Sequence, residues 1–226
     1  NIPWGEWLQI KTNTRENYRN EIMKLRRKNA KVKLFMSSAT DPYQPMERKA
    51  RITRSLLEEM IDHPPDFLQI QTRSPLITRD ISLISKLNEK CNVLVSMTIE
   101  TDREDVRKIF SPFAPSIPLR IQALTQIHQA GIPTQASISP VLPFTPEFPQ
   151  LLQDITNHIW IDTLNIGDGS MGKRSARLGM PQIFRQFGFE DWYDNDLHWK
   201  VKKYFLKFFP EEVVRVSKDE VYLEKM

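Results

Sequence analysis

The chain has 226 residues, with 32 Lys and Arg against 28 Asp and Glu and a single cysteine. This length can form a substantial core in one large domain or two small ones. A hydrophobic content of 40% excludes a disordered chain, and one cysteine excludes a disulfide scaffold and any multi-cysteine metal site within this chain. No apolar run reaches the length of a membrane helix, and the lone Cys91 makes a reducing cytoplasm the simplest compartment. The net charge of +4 permits a phosphate-binding patch without demonstrating one.

Short apolar runs alternate with amphipathic stretches along the chain. The predicted strands are, in order, Trp7–Lys11, Val32–Met36, Phe67–Gln71, Asn92–Ile99, Pro133–Pro140 and Ile161–Ile166. The predicted helices are Glu16–Asn29, Met46–Asp62, Arg79–Glu89, Asp102–Phe110, Pro118–Ala130, Pro146–His158, Gln182–Phe187 and Glu190–Phe209. The last 15 residues are predicted to form a short strand or a hairpin edge. This alternation predicts an α/β fold of parallel strands joined by helical crossovers.

Four of these strands alternate between apolar and polar side chains, so that the polar ones share one face of the sheet. The polar residues are Gln69, Gln71 and Arg73; Ser96, Thr98 and Glu100; Gln135, Ser137 and Ser139; and Thr163 and Asn165. Helices would cover the apolar face, but the polar face cannot be an ordinary packed interior because unpaired buried polar groups are costly. We therefore expect a wider or incomplete barrel whose lumen holds a polar ligand. The alternative is a sheet with one solvated face.

The segment SSATDPYQPME at 37–47 follows a predicted strand at its carboxyl end, where α/β folds carry their chemistry. Thr40 and Asp41 can present oxygens to a ligand amine, and Tyr43 and Gln44 are candidate contacts for a substrate or anion. The alternative is that Asp41 only caps the next helix.

A stripe of charge follows on that predicted helix. Glu47, Arg51, Arg54 and Glu58 fall within one narrow arc, and the spacings 47–51 and 54–58 suit helical ion pairs. A solvated, salt-bridged face is the favoured interpretation.

Further charged residues lie at predicted strand ends and helix starts. Arg73 is expected at the barrel mouth as a fixed cation for a carboxylate or phosphate, or alternatively as a loop arginine paired with Asp80. Ser96, Thr98 and Glu100 form a ladder of hydrogen-bonding groups. Arg120 begins a predicted helix, which is usually a surface position, and it is a further candidate contact for a substrate or anion, as is Glu100.

The loop GDGSMGKRS at 167–175 nearly matches a phosphate-binding loop, but Arg174 stands where Ser or Thr should hold magnesium. We therefore favour a loose anion-binding loop using Lys173, Arg174 and Arg177 over a nucleotide-hydrolase loop. A plain glycine turn is the alternative. The aromatic residues interleaved with lysines in the last predicted helix are expected to pack on the barrel rather than to bind nucleic acid.

Several motifs together, in this order, resemble the radical SAM proteins of the spore photoproduct lyase type, often labelled DNA repair photolyases. They are TDPYQPME at 40–47 with Arg51, Arg54 and Glu58 downstream, QTRSPLITRD at 71–80, VSMT at 95–98, AP at 114–115 with Arg120, AGIP at 130–133, and SPVLP at 139–143. The resemblance covers roughly residues 1–170. It implies a partial (β/α)6 TIM-like barrel core at 1–170, with 171–226 as a C-terminal helical extension packed on it.

The resemblance also implies a chemistry. In that family a [4Fe–4S] cluster held by three cysteines reduces S-adenosylmethionine, giving a 5′-deoxyadenosyl radical that abstracts hydrogen from the substrate. By position, Thr40 and Asp41 would contact the methionine amine, and Arg73 the methionyl carboxylate. Ser96 and Thr98 would face the ribose or carboxylate, and Ser139 and Asn165 would lie near ribose and adenine. The family label points to nucleic acid as the substrate.

One departure from the family is serious, because its C-x3-C-x2-C loop belongs upstream of Trp4 and this chain has none. Cys91, at the start of a strand, cannot replace three thiolates. The favoured explanation is that the chain is the carboxy-terminal portion of a longer enzyme whose cluster ligands lie upstream. The alternative is a cluster-less barrel that acts as a nucleic-acid or nucleotide binding module.

Overall fold

The structure is a computed structural model that describes residues 8–37 and 40–217. Trp7, Ser38 and Ala39 of the 37–47 motif, and the part of the predicted C-terminal strand beyond residue 217 lie outside the described residues. The strands are β1 Lys33–Met36, β2 Phe67–Thr72, β3 Asn92–Thr98, β4 Thr134–Ile138, β5 His158–Ile161 and β6 Val214–Val216. The α-helices are α1 Thr14–Arg27, α2 Glu47–Ala50, α3 Ile52–Asp62, α4 Ile81–Asn88, α5 Glu104–Phe110, α6 Ile117–Gln129, α7 Phe148–Leu152, α8 Lys173–Arg177, α9 Met180–Gln186 and α10 Leu197–Phe205. Short 3-10 helices span Pro75–Asp80 and Glu190–Trp192.

The six strands form one parallel sheet in the order β1-β2-β3-β4-β5-β6. Every pairing joins neighbours along the chain, and β1 does not pair with β6, so the barrel is open. This is the partial TIM-like α/β barrel that strand and helix alternation predicted. All carboxyl ends of the strands meet at one edge, which we call the mouth.

The two faces of the sheet differ in polarity, as the alternation along the strands predicted. Leu68, Ile70, Val95 and Met97 are fully buried toward the helices. The strand register places the residues that alternate with these on the concave face of the sheet, here called the lumen. Its members are Lys33, Phe35, Phe67, Gln69, Gln71, Asn92, Leu94, Ser96, Thr98, Gln135, Ser137, His158, Trp160 and Arg215. The lumen is polar because amide, hydroxyl and charged side chains dominate this face.

Several predicted boundaries are wrong. The continuous helix over Met46–Asp62 is broken, because Arg51 adopts a left-handed backbone with φ of 51° between α2 and α3. The strand predicted over Ile161–Ile166 ends at Ile161, because Ile166 and Gly167 both donate backbone hydrogen bonds to the Thr163 carbonyl and form a turn. Residues 8–11, in the first predicted strand, are exposed and not in a strand.

The main core runs continuously from the barrel into the segment after residue 170. Phe205 and Phe209 of the α10 region and Val214 and Val216 of β6 belong to the same buried cluster as Leu68 and its neighbours. The last aromatic helix therefore packs on the barrel, as expected. Among the helices of the described residues, none combines the length and the apolar character needed to cross a bilayer.

Candidate ligand-binding site at the barrel mouth

Two arginines flank a buried carboxylate at the mouth, beyond the ends of β2 and β3. Glu100 Oε1 lies 2.7 Å from Arg73 Nε, and Glu100 Oε2 accepts a hydrogen bond of 2.5 Å from Arg120 Nη1. Arg120, which was expected at the surface, is fully buried and also donates to the Thr98 carbonyl at 2.9 Å. Arg73 pairs with Glu100 and not with Asp80, the alternative partner that sequence suggested. Two cations and one anion leave this cluster with an excess positive charge.

Within the described residues, four buried donors near the carboxyl ends of the strands have no hydrogen-bond partner. They are Arg120 Nε and Nη2, Ser137 Oγ and Thr163 Oγ1. A buried donor without a partner costs about 1–3 kcal/mol, and more when it is charged. Orphaned donors of this kind indicate a place where a polar ligand or water completes the bonding.

The lumen floor beneath the mouth holds the ladder that sequence predicted. Ser96 is buried and accepts a hydrogen bond of 2.9 Å from Gln135 Nε2, so these two candidates satisfy one another. Thr98 and Ser137 sit opposite each other across β3 and β4. Trp160, which sequence reasoning missed, follows on β5 opposite Ser137. The alternation of His158 and Trp160 with apolar residues could have indicated it. The prediction missed this pattern because the predicted strand began three residues too late, at Ile161.

The loop after β1 is held by Asp41. Its carboxylate accepts hydrogen bonds from the Tyr43 amide at 2.8 Å, Thr72 Oγ1 at 2.6 Å and the Arg73 amide at 2.8 Å. Asp41 therefore ties the loop to the end of β2 and positions Arg73, in addition to any contact with a ligand. Thr40 beside it is exposed, and Gln44 is half-buried.

A buried ion-pair network supports this loop from below. Glu47 accepts from the backbone amides of Thr53 and Arg54 at the start of α3 and from Arg79 Nη2 at 3.0 Å. Because the helix is broken at Arg51, the Glu47 side chain can reach the start of α3, and the expected ion pair between Glu47 and Arg51 does not form. The expected pair of Arg54 and Glu58 does form, at 3.4 Å. Asp80 accepts from Arg54 and Arg79, and burial, then the nearby Asp80 charge, raises the pKa of the Tyr43 phenol well above its usual value.

The ends of β4 and β5 bring Ser139 beside Asp162, a site residue that sequence reasoning missed. Ser139 Oγ donates to Asp162 Oδ2 at 3.5 Å, and burial raises the pKa of the Asp162 carboxyl. Gly167 packs directly on this carboxylate, since a side-chain carbon built there would collide with it. Thr163 and Asn165, expected on the polar face of a strand, lie instead in the turn after β5.

The glycine loop already holds an anion of its own. Asp168 accepts hydrogen bonds from the backbone amides of Ser170, Gly172 and Ser175 at 2.8–3.0 Å and from Ser175 Oγ at 3.2 Å. These donors hold the pKa of Asp168 below its usual range despite desolvation, which acts the other way and is the largest single influence. Lys173 and Arg174 are exposed beside this loop. Because the Asp168 carboxylate already occupies the backbone amides of the loop, they are not available to bind an external anion as expected.

The described residues do not fit an iron–sulfur cluster. They contain no group of three or more His, Cys, Asp or Glu side chains arranged to hold a metal ion. Cys91 precedes β3, at the end of the sheet opposite the mouth, and burial raises the pKa of its thiol to about 11. Such a thiol is protonated near neutral pH and is a poor metal ligand.

Sequence comparison finds relatives that are themselves uncharacterized proteins. The chain is 32% identical over 184 residues to the uncharacterized protein MJ0683 of Methanocaldococcus jannaschii, covering 80% of this chain and 66% of that protein. It is 32% identical over 142 residues to the uncharacterized protein ORF301 of Acidianus two-tailed virus, covering 62% and 44%. The chain thus spans about two thirds of the first relative and less than half of the second. No protein-family model matches the chain.

Structural comparison identifies the same fold in spore photoproduct lyase. The structure of that protein complexed with dinucleoside spore photoproduct aligns with a TM-score of 0.58 at 14% identity, over 90% of this chain and 66% of that one. A mutant of that lyase with bound AdoMet and dinucleoside spore photoproduct aligns equally well. At this identity the comparison concerns the backbone alone: the chain shares the open parallel barrel of that lyase.

Proposed function

We propose that this chain forms the S-adenosylmethionine-binding barrel of a radical SAM enzyme that acts on nucleic acid. The observation that carries the proposal is the mouth cluster of Arg73, Glu100 and Arg120 with its unpaired buried donors, set over a polar lumen. The fold shared with spore photoproduct lyase, solved with AdoMet and a dinucleoside, supports it.

The residues of the mouth suit the chemistry of S-adenosylmethionine. Arg73 and the free nitrogens of Arg120 would bind the carboxylate, since guanidinium groups pair with carboxylates through directed hydrogen bonds. The hydroxyls of Thr98, Ser137 and Ser139 would hydrogen-bond the ribose or the amino acid portion. Bound beside a reduced cluster, S-adenosylmethionine supplies a 5′-deoxyadenosyl radical for hydrogen abstraction. Cluster ligands would have to come from outside the described residues.

Binding of S-adenosylmethionine tests the mouth directly. Isothermal titration calorimetry should detect binding to the wild-type chain, and Arg73→Ala should weaken it about tenfold or more, because a hydrogen bond to a charged group contributes about 1.5–3 kcal/mol. Arg26→Ala is the matched control, because Arg26 is an arginine with the same 42% exposed side chain and an ion pair, with Asp66, but lies in the last turn of α1, at the amino-terminal edge of the sheet. Absence of binding to the wild type, or equal losses in both variants, would contradict the proposal.

The radical activity needs a separate measurement on the protein isolated from its natural source without oxygen. Under reducing conditions with S-adenosylmethionine, chromatography should detect 5′-deoxyadenosine. Binding without 5′-deoxyadenosine, from protein that carries no iron, would favour the alternative of a cluster-less binding module.

A further inference from the structure

A run of basic residues closes α1 and leads into β1. Residues 24–33 carry six cations and no carboxylate: Lys24, Arg26, Arg27, Lys28, Lys31 and Lys33. All six are exposed. We call Arg27, Lys28, Lys31 and Lys33 the basic turn. Its charge density far exceeds that of the whole chain, whose net charge is only +4.

The fold gathers the basic turn at the amino-terminal edge of the sheet, away from the mouth. Asn29, with φ of 52°, reverses the chain between α1 and β1, and Lys33 is the first residue of β1. Nearby Asp66 is already neutralised, since it pairs with Arg26 at 2.7 Å and accepts from the Val32 amide at 2.6 Å. Within the described residues, no carboxylate lies within 4.0 Å of a cationic group of the basic turn.

Helix electrostatics explain only part of this charge. Cations in the last turn of a helix stabilise its carboxyl end, which accounts for Lys24, Arg26 and Arg27. That effect fades within one turn, whereas Lys31 and Lys33 lie beyond the helix. The basic turn places four exposed cations within seven residues, and in the described part of the chain none of them has a carboxylate within 4.0 Å, which indicates an external polyanion.

An aromatic platform adjoins the basic turn. Lys33 and Phe35 are two residues apart on β1 and project from the same, lumenal face. Phe35 is 50% exposed, and register sets it beside Gln69 of β2, with the half-buried amide of Gln71 further along. Cations beside an exposed aromatic ring and amide groups are the combination by which proteins hold single strands, with phosphates on the cations and bases stacked on the ring.

We propose that the basic turn and Phe35 form a surface for single-stranded nucleic acid, which runs from the amino-terminal edge along β1 toward the mouth. An anionic membrane fits less well, because the exposed aromatic side chain next to the basic turn, Phe35, lies on the lumenal face of β1. The inference rests on the nucleic-acid part of the proposed function and not on the binding of S-adenosylmethionine.

Salt-dependent binding tests the surface without any S-adenosylmethionine present. Fluorescence anisotropy would follow a labelled oligothymidine of about 20 nucleotides, and the matching oligouridine, between about 50 and 200 mM salt. Because each phosphate contact on a single strand contributes about −0.7 to the slope of log K against log salt, the triple variant Arg27→Ala, Lys28→Ala, Lys31→Ala should lose about 2 from that slope. Its affinity near 0.1 M salt should fall on the order of 100-fold.

A matched triple variant removes the same charge elsewhere. Lys86→Ala, Lys108→Ala and Lys203→Ala change exposed lysines on α4, α5 and α10 and should leave the slope nearly intact. Phe35→Ala should weaken binding about tenfold, and Phe35→Tyr should restore it because the ring is kept. Circular dichroism would confirm that each variant folds.

Three results would overturn the inference. The first is an equal loss of slope in both triple variants, and the second is equal affinity for Phe35→Ala and Phe35→Tyr. The third is binding to phosphatidylserine vesicles without binding to either oligonucleotide. Loss of S-adenosylmethionine binding in the mouth variant would leave this measurement unaffected, so the two proposals fail separately.

Discussion

Asp162 and Gly167 are in close contact at the mouth. The Asp162 carboxylate lies against Gly167, whose backbone amide donates to the Thr163 carbonyl at 2.8 Å. Only a residue without a side chain fits there, for a steric reason and not because its backbone dihedral angles require glycine. This contact connects the end of β5 to the glycine loop.

Replacing this glycine should therefore cost stability. We expect Gly167→Ala to lower the free energy of unfolding by about 1–3 kcal/mol, because Asp162 must move from its buried position. Urea denaturation would measure the change. Gly131→Ala is the control: Gly131 has φ of 75° but open space around it, so only the backbone strain of about 1 kcal/mol applies. A smaller effect at residue 167 than at residue 131 would contradict the steric account.

Individual side-chain partners were the hardest feature to predict. The residue types at the mouth followed from alternation, yet the pairing of Arg73 with Glu100 depends on the relative height of β2 and β3, which pattern does not encode. Arg120 was expected at the surface because it begins a helix, but α6 packs against β3 and buries it. The sequence can suggest candidates, but only the packing of elements decides which of them meet.

At the scale of elements, Glu59 joins α1 to α3. Arg19 donates to this buried carboxylate at 2.6 Å and 2.7 Å, and Arg15 donates at 2.8 Å. The Arg19 hydrogen bond, the largest influence, helps to lower the pKa of Glu59 from 4.5 to about 2. Because the folded pKa is depressed, the stability that Glu59 contributes is present above about pH 4.5 and is lost as the pH falls toward 2.

Removing this charge should make the free energy of unfolding less dependent on pH in the acid range. We expect Glu59→Gln to lower the free energy of unfolding by about 2 kcal/mol at pH 7, and its penalty should shrink as the pH falls toward 2. Guanidinium denaturation at several pH values would measure this. The neighbouring Glu58→Gln is the control, since its 41% exposed side chain forms looser pairs and should change stability by less than about 1 kcal/mol. A constant penalty for Glu59→Gln at every pH would refute the linkage.

Element types were easier to predict than element ends. The helix at Ile117–Gln129 and the strand at Asn92–Thr98 lie within one residue of their predicted bounds, because their hydrophobic periods are regular. The break at Arg51 had no signal, since no Gly or Pro marks it and a tertiary contact of Glu47 stabilises it. In the turn after β5, polar and apolar residues alternate as they do in a strand, which explains why a strand was predicted there.

Considered as a whole, the molecule combines the barrel and the later segment in one core. Phe205 of α10 packs edge-on against Phe148 of α7, with ring centroids 6.0 Å apart, and is fully buried. β6 completes the sheet beside β5. The expected division at residue 170 therefore marks where the family resemblance ends along the chain, and we propose that it is not a boundary of folding.

Truncation of that ring tests whether the two parts unfold together. Phe205→Ala should lower the free energy of unfolding by about 3–5 kcal/mol. Hydrogen exchange followed by mass spectrometry should lose protection equally in β2, β3 and α10. Leu206→Ala, at a partly exposed neighbour, should change stability by less than about 1 kcal/mol. Loss of protection confined to α10 and β6 would mean that the later segment unfolds independently.

The linear strand order bears on how the protein is made. Each strand pairs with the one translated just before it, so a nascent chain leaving the ribosome finds its partner already synthesised. The sheet can grow from one side without waiting for distant residues. Among the described strands, β6 is separated from its partner by the longest stretch of chain. Until β6 is synthesised, the edge of β5 is open to other chains. Within the described sheet, the edge that stays open longest during synthesis before it is paired is therefore that of β5, between its completion and the arrival of β6.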